Sequence, residues 1–369
     1  MSLAGVYLHI PFCKSRCSYC DFATDVWRDA ASVDRYVDAL TSEIRSSKIE
    51  IQSSIDTIYF GGGTPSLLSP EQVERILEQI RIRFDISDAD AIEITMEMNP
   101  ATVSLETLES YRRLGVNRAS FGVQTFNDRD LKLLARGHDA NDARETFKML
   151  RNAAFSNISL DLIAGLPGQT IDDWTRNLDE AIAMSPEHIS LYLLEIHEGT
   201  PLAEQVRSGR RTPIDDELAA EMYELMLDKL AASGFRQYEI SNFAKPGFGS
   251  RHNTKYWTLD PVYGYGVSAH SFDGTQRYAN VRDTAAYVNA IESGSSPESF
   301  REDIDRESES IFLGLRLERG VRLSEEAHTK YKKEIDQLIA DDLIQFVDSR
   351  IKLTRRGKLF SNDVFAAFV

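Results

Sequence analysis

Residues 6–20 read VYLHIPFCKSRCSYC, a short apolar run followed by a loop that carries three cysteines. These are all the cysteines of the 369-residue chain. A disulfide scaffold is expected to have an even and dispersed set of cysteines. Clustered thiols in a reducing compartment are instead typical of a metal or redox centre. The stretch therefore predicts a cofactor bound directly after the first strand of the fold.

The spacing Cys13-x-x-x-Cys17-x-x-Cys20 brings three thiolates together on one loop. Three thiolates can bind three irons of a [4Fe–4S] cluster and leave the fourth iron open to a small chelating ligand. The alternative is a zinc site of the Cys3His type, with His9 as the fourth ligand. Because His9 lies inside an apolar strand shortly before Pro11, the iron–sulfur cluster is favoured.

Six short runs of β-forming residues alternate with amphipathic helical stretches. This alternation is typical of parallel βαβ units, and six units predict an α/β fold, a partial (β/α)6 barrel. An open doubly wound sheet would show the same pattern. The predicted strands are Val6–Ile10, Asp56–Phe60, Ile92–Glu97, Arg118–Gln124, Ile158–Ile163 and His188–Leu194. The predicted helices are near Val33–Lys48, Pro70–Phe84, Leu105–Leu114, Ala140–Ala154, Ile171–Met184 and Glu217–Ala232.

Unusual polar and glycine residues occur within these strands, at their ends or just after them. The carboxyl ends of parallel strands meet at one edge, where the sites of barrels and open α/β folds lie. The residues with this placement are Gly61–Thr64, Glu97, Gln124, Asp161 and Gly165–Gly168. Because the cysteines also follow a strand, the pattern favours one shared site.

The pattern changes in the last third of the chain, which predicts a core domain over residues 1–235 and a smaller α+β domain over residues 236–369. The final unit, Glu307–Val369, reads as two helices and a hairpin around Asp348-Ser349, an arrangement like a winged helix. DNA binding is disfavoured because Arg301–Val369 holds 13 basic and 14 acidic residues. A role in packing or in protein contact is expected instead.

Composition narrows the classes of function. The chain has a net charge of −16, which disfavours non-specific binding to nucleic acid. No window approaches the unbroken apolar stretch of ~18 residues that a membrane span needs. Met1–His9 lacks the zones of a signal peptide. We therefore expect a cytoplasmic protein with no integral membrane segment and no nucleic-acid partner.

The run Tyr7–Cys13, the cysteine spacing and Gly61–Thr64 resemble the radical SAM superfamily. More narrowly, the chain resembles the branch shared by oxygen-independent coproporphyrinogen III oxidases and the HemW haem chaperones, and the resemblance extends through most of its length. It implies that Cys13, Cys17 and Cys20 hold a [4Fe–4S] cluster whose open iron is chelated by S-adenosylmethionine (SAM). It also implies an electron donor for the cluster.

The resemblance further implies which residues lie around SAM and the cluster. They are Gly62, Gly63 and Thr64 at the methionyl end of SAM; Glu97 and Arg136 at its polar groups; Gln124 and Asp161 at the ribose hydroxyls or nearby; and Tyr7 and Tyr19 beside the cluster. Glycine would allow the backbone to approach the ligand closely. Each residue also has a structural alternative as a turn, a cap, a surface residue or part of the core.

Two features separate the oxidase and chaperone branches. The oxidases carry a fourth cysteine two residues after the third, where this chain has Phe22. They also carry an extension before the cluster strand, whereas this chain begins almost at that strand. Both features disfavour oxidative decarboxylation of coproporphyrinogen III and match the HemW pattern.

The string His252-Asn-Thr-Lys-Tyr-Trp257 is the signature of the HemW branch in this resemblance. A neutral imidazole is a good axial ligand for haem iron, and the aromatic neighbours could cover a porphyrin face. The alternative is a structural loop of buried aromatics in which His252 is hydrogen-bonded to the backbone. His270 is a second candidate ligand.

The leading hypothesis is a haem chaperone that receives haem and passes it to an acceptor protein. The enzyme alternative is a coproporphyrinogen III oxidase that acts through a 5′-deoxyadenosyl radical. A third hypothesis is a regulatory or scaffold role through the C-terminal unit. Cleavage of SAM, the identity of the acceptor and formation of a homodimer are left open by the sequence.

Overall fold

The computed structural model describes residues 3–47, 54–86 and 92–369. These residues form seventeen strands: β1 (Ala4–Ile10), β2 (Phe12–Cys13), β3 (Asp25–Val26), β4 (Ser54–Gly62), β5 (Asp85–Ile86), β6 (Glu93–Met98), β7 (Arg118–Gln124), β8 (Ile158–Ala164), β9 (His188–Leu193), β10 (Arg236–Glu239), β11 (Asn242–Ala244), β12 (Val262–Tyr265), β13 (His270–Phe272), β14 (Gln276–Asn280), β15 (Glu298–Asp303), β16 (Ile344–Val347) and β17 (Arg350–Leu353).

The same ranges form fifteen α-helices: α1 (Ala30–Ser46), α2 (Pro70–Arg83), α3 (Leu105–Leu114), α4 (Asp128–Leu133), α5 (Ala140–Asn152), α6 (Ile171–Ala183), α7 (Pro201–Arg207), α8 (Asp216–Ala232), α9 (Arg251–Thr258), α10 (Thr284–Glu292), α11 (Arg306–Leu315), α12 (Glu325–Lys330), α13 (Lys332–Ala340), α14 (Arg355–Leu359) and α15 (Ser361–Ala366). No helix in these ranges is long and apolar enough to cross a membrane.

One large sheet has the strand order β10-β11-β9-β8-β7-β6-β4-β1-β12-β13-β14-β15. Its seven neighbouring strands from β9 to β12 are all parallel. The six strands predicted from the sequence are present within about two residues of their predicted bounds. This confirms the predicted α/β fold with its partial (β/α)6 barrel. The predicted end of the first helix, Lys48, lies outside the described residues, as do Met1 and Ser2.

The strands of the barrel carry an apolar row and a polar row, as a period of two requires. On β4, Ile58 and Phe60 belong to the hydrophobic core under the helices. Tyr59, between them, instead donates a hydrogen bond to Glu97 of β6. Arg118 and Thr95 follow the same inward pattern and are buried. The barrel interior is therefore lined with polar groups, which is typical of a ligand site.

The helices begin where local capping chemistry dictates. Ser69 caps α2 by accepting a hydrogen bond from the Gln72 amide, and the Gln72 side chain accepts one from Ser69 in return. Pro70 at the first helical position suits this start because its missing N–H needs no partner. The buried face of α2 includes Val73 and Ile80, which pack on the apolar row of the sheet.

The segment after residue 235 joins the barrel more closely than the sequence indicated. β12 pairs in parallel with β1, which adds a seventh parallel strand, and β13–β15 continue the sheet beyond it. The boundary between the two predicted domains at residue 235 stays a prediction, but the sheet runs across it. β12 was not predicted because its four residues lie in a stretch rich in glycine and aromatic residues.

The C-terminal unit has a hydrophobic core of its own, which includes Ile311, Ile335, Ile351 and Phe368. Its two predicted helical segments and the hairpin around residues 348–349 are present as α11–α13 and β16–β17. Two further short helices, α14 and α15, complete the unit. The smaller α+β unit predicted at the end of the chain is therefore confirmed.

Candidate iron–sulfur and SAM site

The cysteine loop follows β1 at the carboxyl edge of the parallel strands. Cys13 ends β2, and all three cysteines are partly buried free thiols. Ser18 anchors the loop, because its hydroxyl donates to the Leu133 carbonyl at 3.0 Å and its amide donates to the Leu134 carbonyl at 2.9 Å. The thiols are thereby held against the residues that follow β7.

The glycine loop after β4 is joined directly to the backbone of the cysteine segment. The amide of Gly63 donates to the Ile10 carbonyl, and that of Thr64 donates to the Phe12 carbonyl, both at 2.8 Å. A Cβ on Gly63 would lie 2.6 Å from the Pro11 oxygen, so only glycine allows this approach. The amides of this loop are therefore already paired within the protein.

A chain of hydrogen bonds connects two of the cysteines. The Thr64 hydroxyl donates to Cys13 Sγ at 3.5 Å, and Asn99 Nδ2 donates to Thr64 Oγ1 at 2.7 Å. Arg136 Nη2 donates to Asn99 Oδ1 at 2.7 Å, while Arg136 Nη1 donates to Cys17 Sγ at 3.5 Å. The thiols thus have donors directed at sulfur, a contact that tunes cluster potentials.

Arg136 lies at the centre of this arrangement. Its Nη2 also donates to the Gly122 carbonyl at 2.7 Å, and Tyr19 lies beside the guanidinium. The buried Nε of Arg136 has no hydrogen-bond partner within the described residues. Burial raises the pKa of the Cys13 thiol, and the Thr64 hydroxyl acts in the opposite direction. Binding of iron would require this thiol to lose its proton.

Glu97 lies behind the glycine loop. Its Oε1 accepts a hydrogen bond from the Tyr59 hydroxyl at 2.7 Å, and its Oε2 accepts one from the Gly62 amide at 3.1 Å. Burial raises the pKa of Glu97 to about 7, against the effect of the Tyr59 hydrogen bond. The carboxylate is therefore a support for the loop, and Gly62 needs its positive φ of 113° to reach it.

Asp161 and Gln124 lie on neighbouring strands of the interior. Gln124 ends β7 with a φ of 66°. Gly122 pairs with Asp161 of β8, and a shift of register after Gly122 pairs Gln124 with Leu162. Burial raises the pKa of Asp161 to about 6, while the Ser190 hydroxyl lowers it. Arg118, also buried in the interior, has no partner at Nε or Nη1 within the described residues.

Tyr7 holds His9 beside the cysteine loop. His9 Nε2 lies 2.9 Å from the carbonyl of Ala23, which can only accept, so Nε2 carries the hydrogen. Nδ1 therefore accepts from the Tyr7 hydroxyl at 3.0 Å. Because both ring nitrogens have partners, the structure supports a positioning role for His9 rather than the alternative role as a zinc ligand.

His252 lies in α9 at the opposite, amino-terminal edge of the strands. Its Nδ1 is 2.9 Å from the Thr57 hydroxyl, and its Nε2 is 3.1 Å from the Tyr256 hydroxyl. The amide of His252 donates to Glu93 at 3.1 Å. Burial lowers the pKa of His252 to about 3, assisted by Lys255 and Arg118. These contacts pack α9, which carries His252, against the amino-terminal edge of the barrel, and we call this helix the plug.

The residues present fit a [4Fe–4S] cluster with SAM. Three thiols share one loop. Buried guanidinium nitrogens of Arg136 and Arg118 have no hydrogen-bond partner within the described residues, so a carboxylate or hydroxyl of a ligand could accept hydrogen bonds from them. In the described ranges, no three His, Cys, Asp or Glu side chains are arranged for a single metal ion. A cubane cluster instead gives each thiolate its own iron.

The structure brings together most of the residues predicted for this site, and one of them, His252, reaches the interior from the opposite edge of the strands. The cysteines, Gly62–Thr64, Glu97, Arg136 and Tyr19 lie in one network, and Tyr7, Gln124 and Asp161 line the interior next to it. His252 comes from the amino-terminal edge of the strands, and its ring stacks on two tyrosines of the interior, with ring centres 5.0 Å from Tyr59 and 6.4 Å from Tyr7. Their contacts with SAM and haem stay predictions.

Sequence reasoning missed Asn99 and Arg118. Asn99 directly follows Glu97-Met98, so its position after a strand was a usable signal. Arg118 begins β7, where a basic residue usually indicates a solvent-exposed strand end, and no local pattern shows that the barrel closes over it.

Comparisons with known proteins find family models and full-length relatives that match this chain. The sequence profile of the Radical SAM superfamily matches residues 7–181, and that of the HemN C-terminal domain matches residues 302–360. The haem chaperone HemW of Bacillus subtilis is 37% identical over 379 aligned residues, which cover 100% of this chain and 99% of that protein. The haem chaperone HemW of Escherichia coli is 34% identical, with 99% and 98% covered.

A solved structure has the same fold. The structure of coproporphyrinogen III oxidase (HemN) from Escherichia coli, a radical SAM enzyme, aligns with a TM-score of 0.85 over 99% of this chain and 90% of that one. Its sequence identity is 22%, so the similarity establishes the architecture and not the reaction.

Proposed function

Because the chain belongs to the HemW family within the radical SAM superfamily, we propose that it is a haem chaperone, which binds haem and transfers it to an acceptor protein. The observation that carries the proposal is the identity of 34–37% with haem chaperones over essentially the whole of both chains. The oxidase structure shares only the fold at 22% identity.

The position of Phe22 further supports a chaperone over an oxidase. This residue occupies the place of the oxidases' fourth cysteine in the resemblance, and 66% of it is exposed beside the cysteine loop. An exposed aromatic ring is a suitable contact for a porphyrin and cannot supply a thiolate. Oxidative decarboxylation is therefore not favoured.

The cofactors of the superfamily are a [4Fe–4S] cluster and SAM, which together supply one-electron chemistry at the SAM sulfonium. In this chain, Cys13, Cys17 and Cys20 would hold the cluster. Thr64 would donate a hydrogen bond to the Cys13 thiolate and Arg136 to the Cys17 thiolate. The unpartnered nitrogens of the interior arginines would donate to acceptor atoms of SAM. An external electron donor would reduce the cluster.

The haem ligand, the acceptor protein, a homodimer and a cytoplasmic location are parts of the proposal that need their own tests. His252 stays a predicted ligand. Its placement favours the structural alternative, since Thr57 and Tyr256 occupy both ring nitrogens. The bonds are to side-chain hydroxyls, not to the backbone as the sequence suggested.

Titration of the anaerobically purified full-length chain with haemin tests the proposal. We expect a shifted Soret band that saturates at a fixed haem-to-protein ratio, followed by loss of that band when a haem-free acceptor is added. An unrelated protein of similar net charge is the control. Binding no stronger than the control, or formation of protoporphyrinogen from coproporphyrinogen III by the reduced protein with SAM, would contradict it.

A further inference from the structure

The C-terminal unit contains a small antiparallel sheet with one face on its core and one face outward. β16 pairs with β17, and Val321 extends the sheet beyond β17 by exchanging backbone hydrogen bonds with Ile351 at 3.0 and 2.9 Å. Ile351 is fully buried, and Val321 packs on the same core. Because side chains alternate between the two faces of a strand, the neighbours of Ile351 and Val321 in sequence point away from this core.

Three cations occupy the outward face, which we call the basic face. Its cations are Arg322, Arg350 and Lys352, and its other positions are Gly320, Gln345 and Val347. The pairing of Val321 with Ile351 puts Arg322 opposite Arg350. A Cβ on Gly320 would lie 2.5 Å from Lys352 Cγ, as expected for two residues on one side of the sheet. The register therefore places no acidic side chain on the basic face.

The cations of the basic face have no ion pair within the described residues. Their side chains form one hydrogen bond there, from Arg350 Nη1 to the Gly320 carbonyl at 3.2 Å. Arg322 is exposed, and Arg350 and Lys352 are half-buried. Other basic residues of the same unit do form ion pairs with carboxylates, namely Arg316, Lys330, Lys332, Arg355 and Lys358.

This arrangement opposes folding of the sheet. Like charges directly opposite each other in an antiparallel pair are destabilising, and Arg322 faces Arg350 in this way. Lys352 adds a third positive charge two residues along β17 from Arg350, about 6.6 Å away at 3.3 Å per residue. Carboxylates supplied from outside the chain would relieve the repulsion among the three cations.

A surface rich in Asp and Glu matches the basic face. The arginine fork accepts a carboxylate in bidentate geometry, which gives orientation as well as charge. Carboxylates four residues apart on a helix are about 6 Å apart, close to the separation of Arg350 and Lys352. Val347 adds an apolar contact at the edge of the face.

Nucleic acid matches the basic face less well. Even a single DNA-binding module buries about 600 Å² or more of protein surface, so a duplex would extend beyond three cations. The adjoining segments carry exposed acidic residues, which would repel its phosphates: Glu325 and Glu326 after Arg322, and Asp341 and Asp342 before β16.

We propose that the basic face is a docking site for an acidic surface of a partner protein, whose carboxylates bind Arg322, Arg350 and Lys352. The proposal goes beyond the haem-chaperone function and does not depend on it, because the basic face belongs to the C-terminal unit and uses no residue of the iron–sulfur and SAM site.

Binding of a fluorescein-labelled poly-glutamate peptide to the full-length chain, followed by fluorescence anisotropy, tests the proposal. We expect saturable binding that weakens as salt is added. The double variant Arg322→Glu/Arg350→Glu should bind at least ~10-fold more weakly, the effect of losing about one charge-assisted hydrogen bond. The matched control is Arg210→Glu/Arg211→Glu, the same change of charge on the exposed loop between α7 and α8, which should stay within about twofold of wild type.

The single variant Arg322→Glu separates docking from a role in the fold. It replaces a repulsive cross-strand pair with an attractive one, so the thermal unfolding midpoint should rise while the peptide binds more weakly. A lower midpoint in Arg322→Glu would show that the arginine serves the fold and would overturn the proposal.

Three results of the binding experiment would also overturn it. The first is absence of peptide binding by the wild type. The second is an equal loss of affinity in the two double variants, which would show that the peptide responds to net charge alone. The third is tighter binding of a DNA duplex than of poly-glutamate at the same salt concentration, lost in Arg322→Glu/Arg350→Glu, which would assign the basic face to nucleic acid.

Discussion

Glu97 shows at the scale of one residue how burial sets the chemistry of the site. The side chain supports the glycine loop as a carboxylate that accepts from Tyr59 and Gly62. Burial nevertheless raises its pKa to about 7, because the charged form loses hydration in the interior. The folded chain therefore binds a proton at Glu97 over a range of pH in which the unfolded chain has released it.

This shift predicts that Glu97 lowers stability as pH rises. The pKa of this carboxyl group is higher in the folded chain than its unfolded value of 4.5. Its ionisation therefore does not lower the free energy of unfolding below pH 4.5 and lowers it to the full extent above about pH 7. At 1.36 kcal/mol per pKa unit, the penalty reaches about 3 kcal/mol. Glu97→Gln should remove this loss, since the amide oxygen can accept from the Gly62 amide and the amide nitrogen can donate to the Tyr59 hydroxyl oxygen.

Urea unfolding of cluster-free protein at several pH values between 5 and 8 measures this effect. The free energy of unfolding of Glu97→Gln, relative to wild type, should rise across this range. Glu74→Gln, on the exposed side of α2, is the control and should track the wild type. Parallel curves for Glu97→Gln and wild type would show that the carboxyl is not perturbed by folding.

At the scale of elements, α9 acts as a plug at the amino-terminal edge of the barrel. Lys255 lies 2.7 Å from Asp56 of β4, and its Nζ donates to the Leu3 carbonyl at 2.6 Å. Arg251 is also 2.7 Å from Asp56. Gly5 provides the space for this helix, because a Cβ there would lie 3.0 Å from Lys255 and 3.1 Å from His252.

Lys255→Met keeps the aliphatic stem and removes the buried charge. We expect a loss of about 2 kcal/mol in the free energy of unfolding, less than the ~3–5 kcal/mol of a fully buried pair, because Arg251 still pairs with Asp56. Asp56→Asn in the same chain should recover part of the loss. The control is Lys229→Met, whose partner Asp179 is exposed, with an expected loss of at most ~1 kcal/mol. Equal losses in the free energy of unfolding of Lys255→Met and Lys229→Met would contradict the inference that the buried Lys255–Asp56 pair holds α9 in place.

At the scale of the whole molecule, Arg316 joins the C-terminal unit to the barrel. Its Nη2 lies 3.2 Å from the fully buried Glu239 side chain, and its guanidinium lies 4.2 Å from the centre of the Trp257 ring. Trp257 ends the same string that begins with His252. The segment His252–Trp257 therefore packs against the barrel through His252 and contacts the C-terminal unit through Trp257.

Arg316→Ala should lower the free energy of unfolding by about 3 kcal/mol, because it leaves the Glu239 carboxylate buried without its cation. Arg316→Lys should lower it by less, since lysine keeps the charge and loses the planar stacking on Trp257. Chemical denaturation measures both, and Arg319→Ala at an exposed neighbouring position is the control. A loss below ~1 kcal/mol in Arg316→Ala would show that this contact does not hold the units together.

The sequence alone determined the features that follow from local pattern. Strands and helices were predictable because each strand carries a run of β-forming residues and each helix an apolar face, and three thiols within eight residues share one loop in any fold. The polar residues at strand ends were predictable for the same reason, since parallel strands bring their carboxyl ends to one edge.

Only the tertiary structure decided which of these residues have their donors and acceptors already occupied. The sequence favoured His252 as the haem ligand, yet α9 buries it between Thr57 and Tyr256. Asn99 and Arg118 acquired their places through strands that are distant in sequence. Hydrogen-bond partners depend on the register of the sheet and on which strands become neighbours, and the short strand β12, which pairs with β1, has no local signal of its own.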